Sequence, residues 1–363
     1  MEHRLFADAA GPLLAWYRAH ARDLPWRHTR DPYKIWVSEI MLQQTRVAAV
    51  LGYYARFLEA FPTVEDLAAG SEEQLLSLWQ GLGYYSRARN LKRAAEQIVE
   101  QGGFPRTWEG IRALPGIGDY TAGAIASAAF GLPRAAVDGN VLRVAARLWD
   151  WHEPVTSPAV RRTVVAALEA AFPSGEDARI FNQAWMELGA VVCVPNGPPQ
   201  CGACPLAALC LGRERGTADS LPVRAEKRPR RVEARTVFVL LRNGQTAVRK
   251  RPGRGLLAGL WEFPNVPGDL DEDAAAAVLA RWGVTAAAWD SRLTAKHIFT
   301  HVEWHMTGYV LRVSDGGADS ETDGSGERFR WIDRRELDEY AIPSAFVRFR
   351  AAAADQLGVS HLP

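Results

Sequence analysis

The sequence lacks the features of a membrane or secreted protein. It has no uninterrupted apolar run of the ~20 residues that a membrane-spanning helix requires. Charged side chains (Glu2, Arg4 and Asp8) interrupt its first residues, unlike the apolar stretch of a secretory signal. Its hydrophobic share of 48% and charged share of 23% are typical of globular proteins. We therefore expect a cytoplasmic protein with no membrane partner, and 363 residues suffice for two domains.

The chain also lacks an overall excess of positive charge. The formal net charge is +1, which by itself gives no indication of nucleic-acid binding. The basic surplus is local, since residues 211–235 carry 8 Lys or Arg against 4 Asp or Glu, centred on Lys227–Arg231. This stretch has no apolar periodicity, which predicts an interdomain linker. Two interpretations stay open: a linker that lies along DNA phosphates, and one that is merely solvated.

Cysteine is scarce, and all of it lies in one segment. The 4 cysteines, Cys193, Cys201, Cys204 and Cys210, follow the pattern C-x7-C-x2-C-x5-C. Thiols clustered in this way in an intracellular chain predict a metal centre rather than disulfides. Four thiolates suit either zinc or an iron–sulfur cluster. Because the spacing lacks the paired CxxC knuckles of zinc ribbons, it favours a 4Fe–4S cluster.

A glycine hairpin precedes a single aspartate in an otherwise apolar stretch. Pro115 ends one predicted helix, and Gly116 and Gly118 permit positive φ and leave backbone N–H groups uncovered. The Ala-rich segment Asp119–Phe130 predicts a second helix, whose N-terminus suits a phosphate. The alternative is an ordinary tight turn between helices. Asp138 follows, and a carboxylate beside a DNA-binding hairpin indicates chemistry on a nucleotide.

Glu39 falls where a carboxyl is costly. Asp31 and Pro32 predict the N-cap and first residue of a helix. On that helix Glu39 lies on the apolar stripe between Ile35 and Leu42. Desolvation there predicts a raised pKa and a protonated carboxyl near neutrality, as a general acid requires. The alternative is a carboxylate paired with an arginine or with backbone N–H groups.

Longer motifs carry a family resemblance, which covers residues 5–211. Together with the hairpin, Asp138 and the cysteines, this region resembles the iron–sulfur branch of the helix-hairpin-helix DNA glycosylases. Within that branch it is similar to the adenine DNA glycosylases of the MutY type. The motifs are Leu24–Arg27 (LPWR), Pro32–Thr45 (PYKIWVSEIMLQQT), Gly81–Arg87 (GLGYYSR) and Phe181–Gln183 (FNQ).

The resemblance implies a fold of two domains. Residues 1–211 would form a mostly α helix-hairpin-helix glycosylase domain with a 4Fe–4S loop at 193–210. Residues 212–234 would be a basic linker, and residues 235–363 an α+β Nudix-like domain. One segment departs from the family, which usually has six residues, often basic, between the first two cysteines. Here residues 194–200 separate them and none is charged, yet we still expect the cluster.

The resemblance also implies the chemistry. Glu39 would protonate N7 of an extruded adenine, and Asp138 would stabilise the oxocarbenium ion or form a covalent bond with it. Tyr120 and Asn140 would orient Asp138, which by its position is also a candidate N-cap before Val141. The adenine pocket would be lined by Arg22, Leu24, Trp26, Arg27 and Gln183, although Trp26 also suits a plain core position.

Further residues are implied to contact DNA. Enzymes of this branch that also cleave the backbone carry a lysine where this chain has Tyr120, and residues 94–223 contain no lysine. This predicts a monofunctional glycosylase. Side chains that fill the gap left by an extruded base would offset the lost stacking. These DNA-binding residues are Gln44, Thr45, Leu82 and Tyr84, with Gly116 and Gly118 on the phosphates; helix packing is the alternative for Tyr84.

The C-terminal part changes pattern from about Arg235. We predict strands at 236–241, 245–251 and 307–313, a hairpin turn at 243–244 and a helix at 271–282. The helix lacks the glutamate cluster with which Nudix hydrolases hold Mg²⁺, so we expect binding rather than hydrolysis. The resemblance implies that Phe299, Thr300 and His301 contact 8-oxoguanine opposite the adenine. The alternative is a β-turn without a contact.

The sequence thus predicts a monomeric glycosylase that removes adenine opposite 8-oxoguanine or guanine in double-stranded DNA. We expect it in the bacterial cytoplasm, associated with the nucleoid, acting in base-excision repair. One alternative is a thymine or oxidised-pyrimidine glycosylase on the same scaffold, against which the pocket motif and second domain weigh. The other is a non-enzymatic iron–sulfur protein that binds lesions. Glu39 and Asp138 weigh against it, because binding alone needs no carboxyl near phosphates.

Overall fold

A computed structural model describes residues 2–223, 229–314 and 329–358. The chain divides into two compact units, Met1–Gly70 with Ser86–Lys227, and Ser71–Tyr85 with Arg228–Pro363. Of the predicted linker 212–234, residues 224–228, including basic Lys227 and Arg228, lie outside the described residues. The domain bounds therefore stay a prediction. No helix in the described ranges is long and apolar enough to cross a membrane.

The first unit is helical, as predicted. Its helices are α1 (Glu2–His20), α2 (Pro32–Leu42), α3 (Val47–Ala60) and α4 (Val64–Ala69), followed by α6 (Ser86–Glu100), α7 (Trp108–Arg112), α8 (Asp119–Phe130), α9 (Gly139–Trp149), α10 (Pro158–Ala170), α11 (Glu176–Val191) and α12 (Leu211–Glu214). The segment between α4 and α6, including α5 (Glu72–Leu78), belongs to the second unit. The predicted bounds of α8 are confirmed at both ends.

The main core of the first unit joins α1, α9, α10 and α11. Phe6 of α1 packs between Trp149 and Trp185, with ring centroids 4.8 and 4.7 Å away. Phe6 and Trp185 are completely buried, and side chains of this size contribute roughly 3–5 kcal/mol each to stability. This core fixes α9 and α11 against each other, and both helices carry predicted site residues.

A buried amide holds the segment that leads into Asp138. Asn182 accepts a hydrogen bond from the Ala136 N–H at 2.9 Å and donates to Ser127 Oγ and the Arg134 carbonyl, both at 2.8 Å. The non-helical stretch before α9 has no ladder or helix partners of its own, so these bonds satisfy its backbone groups. Asp138 therefore enters α9 from an anchored segment.

The second unit contains a seven-stranded sheet. Its strands are β1 (Arg231–Arg242), β2 (Gln245–Lys250), β3 (Trp261–Glu262), β4 (Asn265–Pro267), β5 (Ala286–Ile298), β6 (Val302–Val313) and β7 (Arg330–Ile332); its remaining helices are α13 (Glu272–Arg281), α14 (Arg334–Glu339) and α15 (Val347–Gly358). The order is β3-β2-β1-β6-β5, with β4 paired to β1 and β7 to β2. β1 and β6 are parallel, whereas β5 and β6 form an antiparallel pair.

Local chemistry explains the predicted elements of this unit. Asn243 and Gly244 both have positive φ (47° and 72°), which the tight β1–β2 turn requires, so the predicted hairpin is confirmed. Asp271 caps the predicted helix by accepting from the Ala274 N–H at 2.9 Å. The observed β1 and β6 extend beyond the predicted strands toward the turn after β5, because their long parallel pairing continues there.

Two apolar clusters lie on opposite faces of the sheet. Alternation along β6 separates them: Trp304, Met306 and Val310 belong to the cluster that includes α15, and Tyr309 and Leu311 to the cluster that includes α13. This layered α+β arrangement is the predicted fold class of the C-terminal part. It supports the long β5–β6 pair, whose connecting turn carries the predicted 8-oxoguanine contacts.

Candidate active site

Most predicted catalytic and pocket residues meet at one cavity of the first unit. The cavity has a volume of about 530 Å³, within the usual range for a small-molecule site. Its lining includes eleven of the predicted residues: Arg22, Leu24, Trp26, Arg27, Glu39, Gln44, Thr45, Tyr120, Asp138, Asn140 and Gln183. Residues as far apart in sequence as Arg22 and Gln183 therefore share one site.

Glu39 reaches the cavity from α2. The predicted start of this helix is confirmed, since Asp31 accepts from the Tyr33 N–H at 2.9 Å and Pro32 is the first helical residue. The predicted stripe was wrong in one respect. Most of α2 is buried, and Glu39 and Leu42 form the partly open face that lines the cavity. The carboxyl is thus accessible to a ligand as well as desolvated.

The environment of Glu39 favours its neutral form. Its pKa is raised to about 7: burial is the largest cause and the nearby charge of Asp138 adds to it, whereas the Tyr120 hydroxyl and Arg27 oppose the rise. The Tyr120 hydroxyl donates to Glu39 Oε2 at 3.0 Å. The family pattern implied that Tyr120 orients Asp138, but its recorded partners are Glu39 and, at 3.6 Å, the Met186 sulfur.

Asp138 is held by donors on its own helix. As predicted, it caps α9, with Oδ1 accepting from the Val141 N–H at 2.8 Å. Asn140 Nδ2 donates to Oδ2, also at 2.8 Å. Burial raises the pKa of Asp138, but these two donors and the charge of Arg143 oppose that rise. Asp138 therefore has several partners for its ionised form, whereas Glu39 has one phenol.

Arg143 is a site residue that the sequence analysis missed. Its guanidinium donates to Asn140 Oδ1 at 2.7 Å, to the Gly189 carbonyl at 2.8 Å and to the Cys193 carbonyl at 2.8 Å. Gly189 of α11 lets Asn140 pack closely against that helix, since a Cβ at Gly189 would lie 2.6 Å from the Asn140 side chain. Arg143 thus links Asn140 to the Gly189 carbonyl of α11. The signal for Arg143 was its position one turn after Asn140 on an apolar helix.

A second buried carboxyl, Glu187, was also missed. It accepts from Arg22 Nε at 2.8 Å, from the Arg22 backbone N–H at 3.0 Å and from Arg27 at 2.6 Å. Burial alone would raise its pKa, but the arginine hydrogen bonds lower it to about 2. Glu187 follows Gln183 by one helical turn on α11, and that spacing was the available signal.

The remaining pocket residues form one wall. Leu24 and Trp26 are buried, with Trp26 edge-on to Tyr54 at 5.3 Å, so core packing and cavity lining are both true of Trp26. Tyr17 donates to Gln183 Oε1 at 2.7 Å. The Arg27 guanidinium lies over the Tyr17 ring, 5.4 Å from its centroid. Because Tyr17 binds the amide oxygen of Gln183, this side chain is held in place beside the cavity.

The glycine hairpin is present between α7 and α8. Gly116 has φ +77° and the Asn90 side chain close by, with 2.6 Å to the position of a Cβ, so only glycine fits there. Gly118, which also permits positive φ, is instead the N-cap of α8 with extended backbone at φ −95°. Gly118 is exposed at the N-terminus of α8, and a helix N-terminus favours an anion.

The predicted DNA-contacting side chains differ in exposure. Gln44 is exposed and Thr45 partly buried at the mouth of the cavity, and Gln44 has a left-handed φ of +58°. In the second unit, Tyr84 is 47% exposed and also left-handed, at φ +49°. Leu82, expected at the DNA, is only 6% exposed. Strained backbone at Gln44 and Tyr84 is typical of functional positions.

The turn between β5 and β6 carries Phe299, Thr300 and His301. Thr300 and His301 are exposed, whereas Phe299 is partly buried against Trp304, with ring centroids 4.9 Å apart. The Tyr84 hydroxyl and Thr300 Oγ1 are hydrogen-bonded at 3.0 Å. Tyr84, which the resemblance assigned to DNA contacts, and Thr300, which it assigned to 8-oxoguanine, are therefore neighbours within the second unit.

The four cysteines lie around a separate small cavity, about 30 Å³ in volume. Among the described residues, no group of three His, Cys, Asp or Glu is arranged to hold a single metal ion. Arg147, buried and not anticipated, donates to Cys193 Sγ at 3.2 Å and to the Val194 carbonyl at 3.0 Å. Cys201, Cys204 and Cys210 complete the thiols of this cavity.

Comparison with known proteins decides the family. The model of the HhH-GPD superfamily of base excision DNA repair proteins matches residues 37–169, and a NUDIX domain model matches residues 236–352. The adenine DNA glycosylase of Homo sapiens is 35% identical over 98% of this chain and 77% of its own length. That of Mus musculus is 36% identical over 94% and 78%. The chain belongs to the adenine DNA glycosylase family.

A solved structure of a related glycosylase is also similar to this chain. A thermostable thymine-DNA glycosylase is 30% identical, with a TM-score of 0.52 over 59% of this chain and 97% of that one. Membership of the glycosylase family and the combination of helix-hairpin-helix and Nudix-like domains were both predicted from sequence motifs, and both are confirmed.

Proposed function

We propose that this chain is a monofunctional DNA glycosylase of base-excision repair that removes adenine opposite 8-oxoguanine or guanine. The observation that carries the proposal is a pair of carboxyls on one cavity. Glu39 has a pKa of about 7, and Asp138, whose pKa burial also raises, has donors from Val141 and Asn140 and the charge of Arg143 that oppose this rise and favour its ionised form. Two carboxyls with divergent environments are what acid-assisted cleavage of a glycosidic bond requires.

In the proposed mechanism Glu39 acts first. Its neutral carboxyl donates a proton to N7 of the extruded adenine, which turns the base into a good leaving group as the N-glycosidic bond breaks. The Tyr120 hydroxyl, 3.0 Å from Oε2, then stabilises the carboxylate that results. Such a general acid contributes about 10²–10⁴ in rate.

Asp138 stabilises the sugar. The C1′ cation that forms as the base departs is balanced by the ionised carboxylate, either electrostatically or through a covalent bond to C1′ that water later hydrolyses. Asn140 and the Val141 N–H hold both carboxylate oxygens, and Arg143 fixes Asn140. These contacts orient the carboxylate before the substrate arrives, so little reorganisation accompanies the reaction.

The part of the cavity lined by Glu187, Arg22 and Arg27 suits the edge of an adenine. Adenine presents an amino donor at N6 beside an acceptor at N1, which matches a carboxylate beside guanidinium groups. Glu187 stays ionised at neutral pH, and Arg22 and Arg27 lie within hydrogen-bonding distance of it. Trp26 and Leu24 supply apolar walls for the ring. This set of groups supports a purine in the cavity.

Tyr120 supports a monofunctional reaction. A lyase step requires an amine that forms a Schiff base with C1′. The group at this position is a phenol bonded to Glu39, and residues 94–223 contain no lysine. Borohydride treatment during turnover is therefore expected to give no protein–DNA adduct. An efficient adduct would contradict the proposal.

We assign reading of the partner base to Thr300 and Phe299. The Thr300 hydroxyl can accept from N7–H of 8-oxoguanine and donate to O8, two groups that guanine lacks. Its exposure and its bond to Tyr84 support this role. The double variant T300A/F299A should lower the ratio of rates on 8-oxoguanine and guanine partners more than it lowers the single-turnover rate itself. An unchanged ratio would contradict it.

We also propose that the cysteines hold a 4Fe–4S cluster. A zinc site would place four sulfurs about 2.3 Å from one ion. Here all four thiols line one cavity, which supplies the four ligands that a 4Fe–4S cluster requires, and the cysteine spacing lacks the paired CxxC knuckles of zinc ribbons. When bound, the cluster supplies iron–thiolate bonds that cross-link the loop. A visible absorption spectrum with iron and zinc analysis tests this: iron-free protein with one zinc would contradict it.

Single-turnover cleavage of three duplexes tests the substrate. They carry A opposite 8-oxoguanine, A opposite guanine, and T opposite guanine. The proposal expects the fastest cleavage for the first and no cleavage of thymine. The similar solved structure is a thymine-DNA glycosylase, so thymine release is the relevant alternative, and preferred cleavage of the third duplex would establish it.

A further inference from the structure

Arg87 ends the Gly81–Arg87 motif, and the proposed function assigns it no role. Its guanidinium Nη1 lies 2.6 Å from the Ile40 carbonyl, 2.7 Å from that of Gln43 and 3.3 Å from that of Met41. The last carbonyls of a helix have no partner within the helix. A cation at this end also interacts favourably with the helix dipole. Arg87 therefore closes the C-terminus of α2.

The closed end lies directly before a strained residue. α2 ends at Leu42, and the Gln43 carbonyl that Arg87 binds belongs to the peptide bond leading into Gln44. Gln44 is exposed with φ +58°, a left-handed conformation that is unfavourable for a residue other than glycine. Such a conformation persists only where its surroundings fix it. The bond to the Gln43 carbonyl is one contact that does so.

The same end also shapes the mouth of the cavity. Leu42, Gln43, Gln44 and Thr45 all line it, and the Thr45 N–H and Oγ1 bind back to the carbonyls of Leu42 and Gln43 at 3.2 and 3.4 Å. Gln43 Nε2 reaches Thr121 Oγ1 on α8 at 3.3 Å. This turn is thus a compact unit, and Arg87 is the charged group that binds its carbonyls from another helix, α6.

We propose that Arg87 is a positioning residue that holds Gln44 in the conformation from which it enters the duplex, and that it acts on extrusion of the adenine. The inference rests on the proposed function for its substrate. The bonds of Arg87 to the Ile40, Met41 and Gln43 carbonyls act on the end of α2, so we expect Arg87 to affect the presentation of Gln44 rather than bond cleavage in an already extruded nucleotide. Loss of the guanidinium lets the Gln43–Gln44 peptide rotate, and the gap-filling side chain is no longer presented.

Two duplexes separate extrusion from cleavage. Both contain A opposite 8-oxoguanine. In the first the flanking pairs are matched, and in the second they are mismatched, so that the adenine is already unstacked. Unstacking the adenine costs free energy, and in the mismatched duplex the adenine is already unstacked. A variant that is defective in extrusion should therefore lose less of its rate on the mismatched duplex than on the matched one. We expect R87M to lose about tenfold or more in single-turnover rate on the matched duplex and about threefold or less on the mismatched one. R87K, which keeps the charge but not the planar fork, should fall between.

One control changes a residue away from the site, and the other changes the proposed general acid. R162M removes one exposed positive charge from α10 and should match the wild type on both duplexes. E39Q should be slow on both to the same degree. Equal slowing of R87M on the two duplexes, or no slowing on either, would overturn the inference. If R87M is poorly folded by thermal denaturation, the same ratio measured for R87K decides.

Extrusion can also be followed without cleavage. 2-Aminopurine placed beside a 2′-fluoro-adenosine brightens when its neighbour leaves the stack. Wild type and E39Q should give the full rise, and R87M a smaller or slower one. This readout keeps the two proposals separate. A wild type that brightens the probe but releases no adenine would reject the proposed function, while an R87M rise equal to wild type would reject the role of Arg87.

Discussion

Glu39 and Glu187 line the same cavity, yet their protonation differs. Burial raises the pKa of each, but Glu39 has one phenol as partner and reaches about 7, whereas Glu187 has two arginines and stays at about 2. The difference shows that burial alone does not set the charge of a carboxyl. The partners that the fold brings to it decide whether it serves as a proton donor or as a fixed anion.

Removing the proton of Glu39 should have the largest effect. E39Q keeps the shape but cannot protonate N7, so the single-turnover rate on A opposite 8-oxoguanine should fall by about 10²–10⁴. D138N should be comparably slow, because it loses the charge under the sugar. Binding of the same duplex should change little in either. E59Q on the exposed face of α3 is the control. A wild-type rate in E39Q would remove Glu39 from the chemistry.

Removing the charge of Glu187 should instead destabilise the fold. E187Q leaves Arg22 and Arg27 beside a neutral, fully buried side chain, and breaking a buried ion pair costs about 3–5 kcal/mol. Urea denaturation measures this loss. E176Q, on the same helix and 67% exposed, breaks contacts with Arg30 and Arg179 and should cost less than about 1 kcal/mol. Equal losses in the two variants would contradict the comparison.

The two carboxyls should also respond oppositely to pH. The pKa of Glu39 is raised from 4.5 to about 7, so the stability linked to it is full below 4.5 and is lost as pH rises through 7. The unfolding free energy of E39Q relative to wild type should therefore increase by up to about 3 kcal/mol from pH 4.5 to pH 8. The cleavage rate of the wild type should fall over the same upper range. A difference independent of pH would mean an ordinary pKa at Glu39.

For Glu187 the direction is reversed. Its pKa is lowered from 4.5 to about 2, so its contribution is full above 4.5 and is lost as pH falls through 2. Wild type and E187Q should therefore converge in stability at low pH. Acid titration of both variants by circular dichroism would show this, and parallel curves would contradict it.

The smallest expected effect is a further rise in the pKa of Asp138, which brings its protonation closer to that of Glu39. N140A removes the donor to Oδ2, so burial is less opposed and the pKa of Asp138 should rise further. Because the reaction needs the ionised form, the acidic limb of the pH–rate profile should move to higher pH, while the alkaline limb set by Glu39 stays. A shift of both limbs would show that Asn140 does not act through Asp138.

Elements whose cause is local were predictable. Asp31 with Pro32, Asp138 before Val141, and Asn243-Gly244 each bind or bend backbone within a few residues, and all three were predicted correctly. Of the two hairpin glycines that permit positive φ, only Gly116 uses it, because Gly118 serves as an N-cap, which requires extended backbone. Leu82 is buried, and its expected contact with DNA stays a prediction, because no local pattern distinguishes a wedge from a packed side chain.

The charge partners were not predictable from local patterns. Glu187 lies 165 positions from Arg22, and Tyr120 lies 81 from Glu39. Arg87 reaches the Gln43 carbonyl across 44 positions. Sequence spacing on α11 could have suggested Glu187 as a neighbour of Gln183, but not the two arginines that keep it ionised.

The sequence by itself determined the family, the caps and turns, and two of the three carboxyls of the cavity, Glu39 and Asp138. Those features depend on residue types at fixed spacings along one helix or turn. The tertiary structure alone decided which arginines keep Glu187 ionised and how the strained Gln44 is anchored. Electrostatic and hydrogen-bond energies depend on distances of a few ångströms between segments far apart in the chain, and only the folded packing sets those distances.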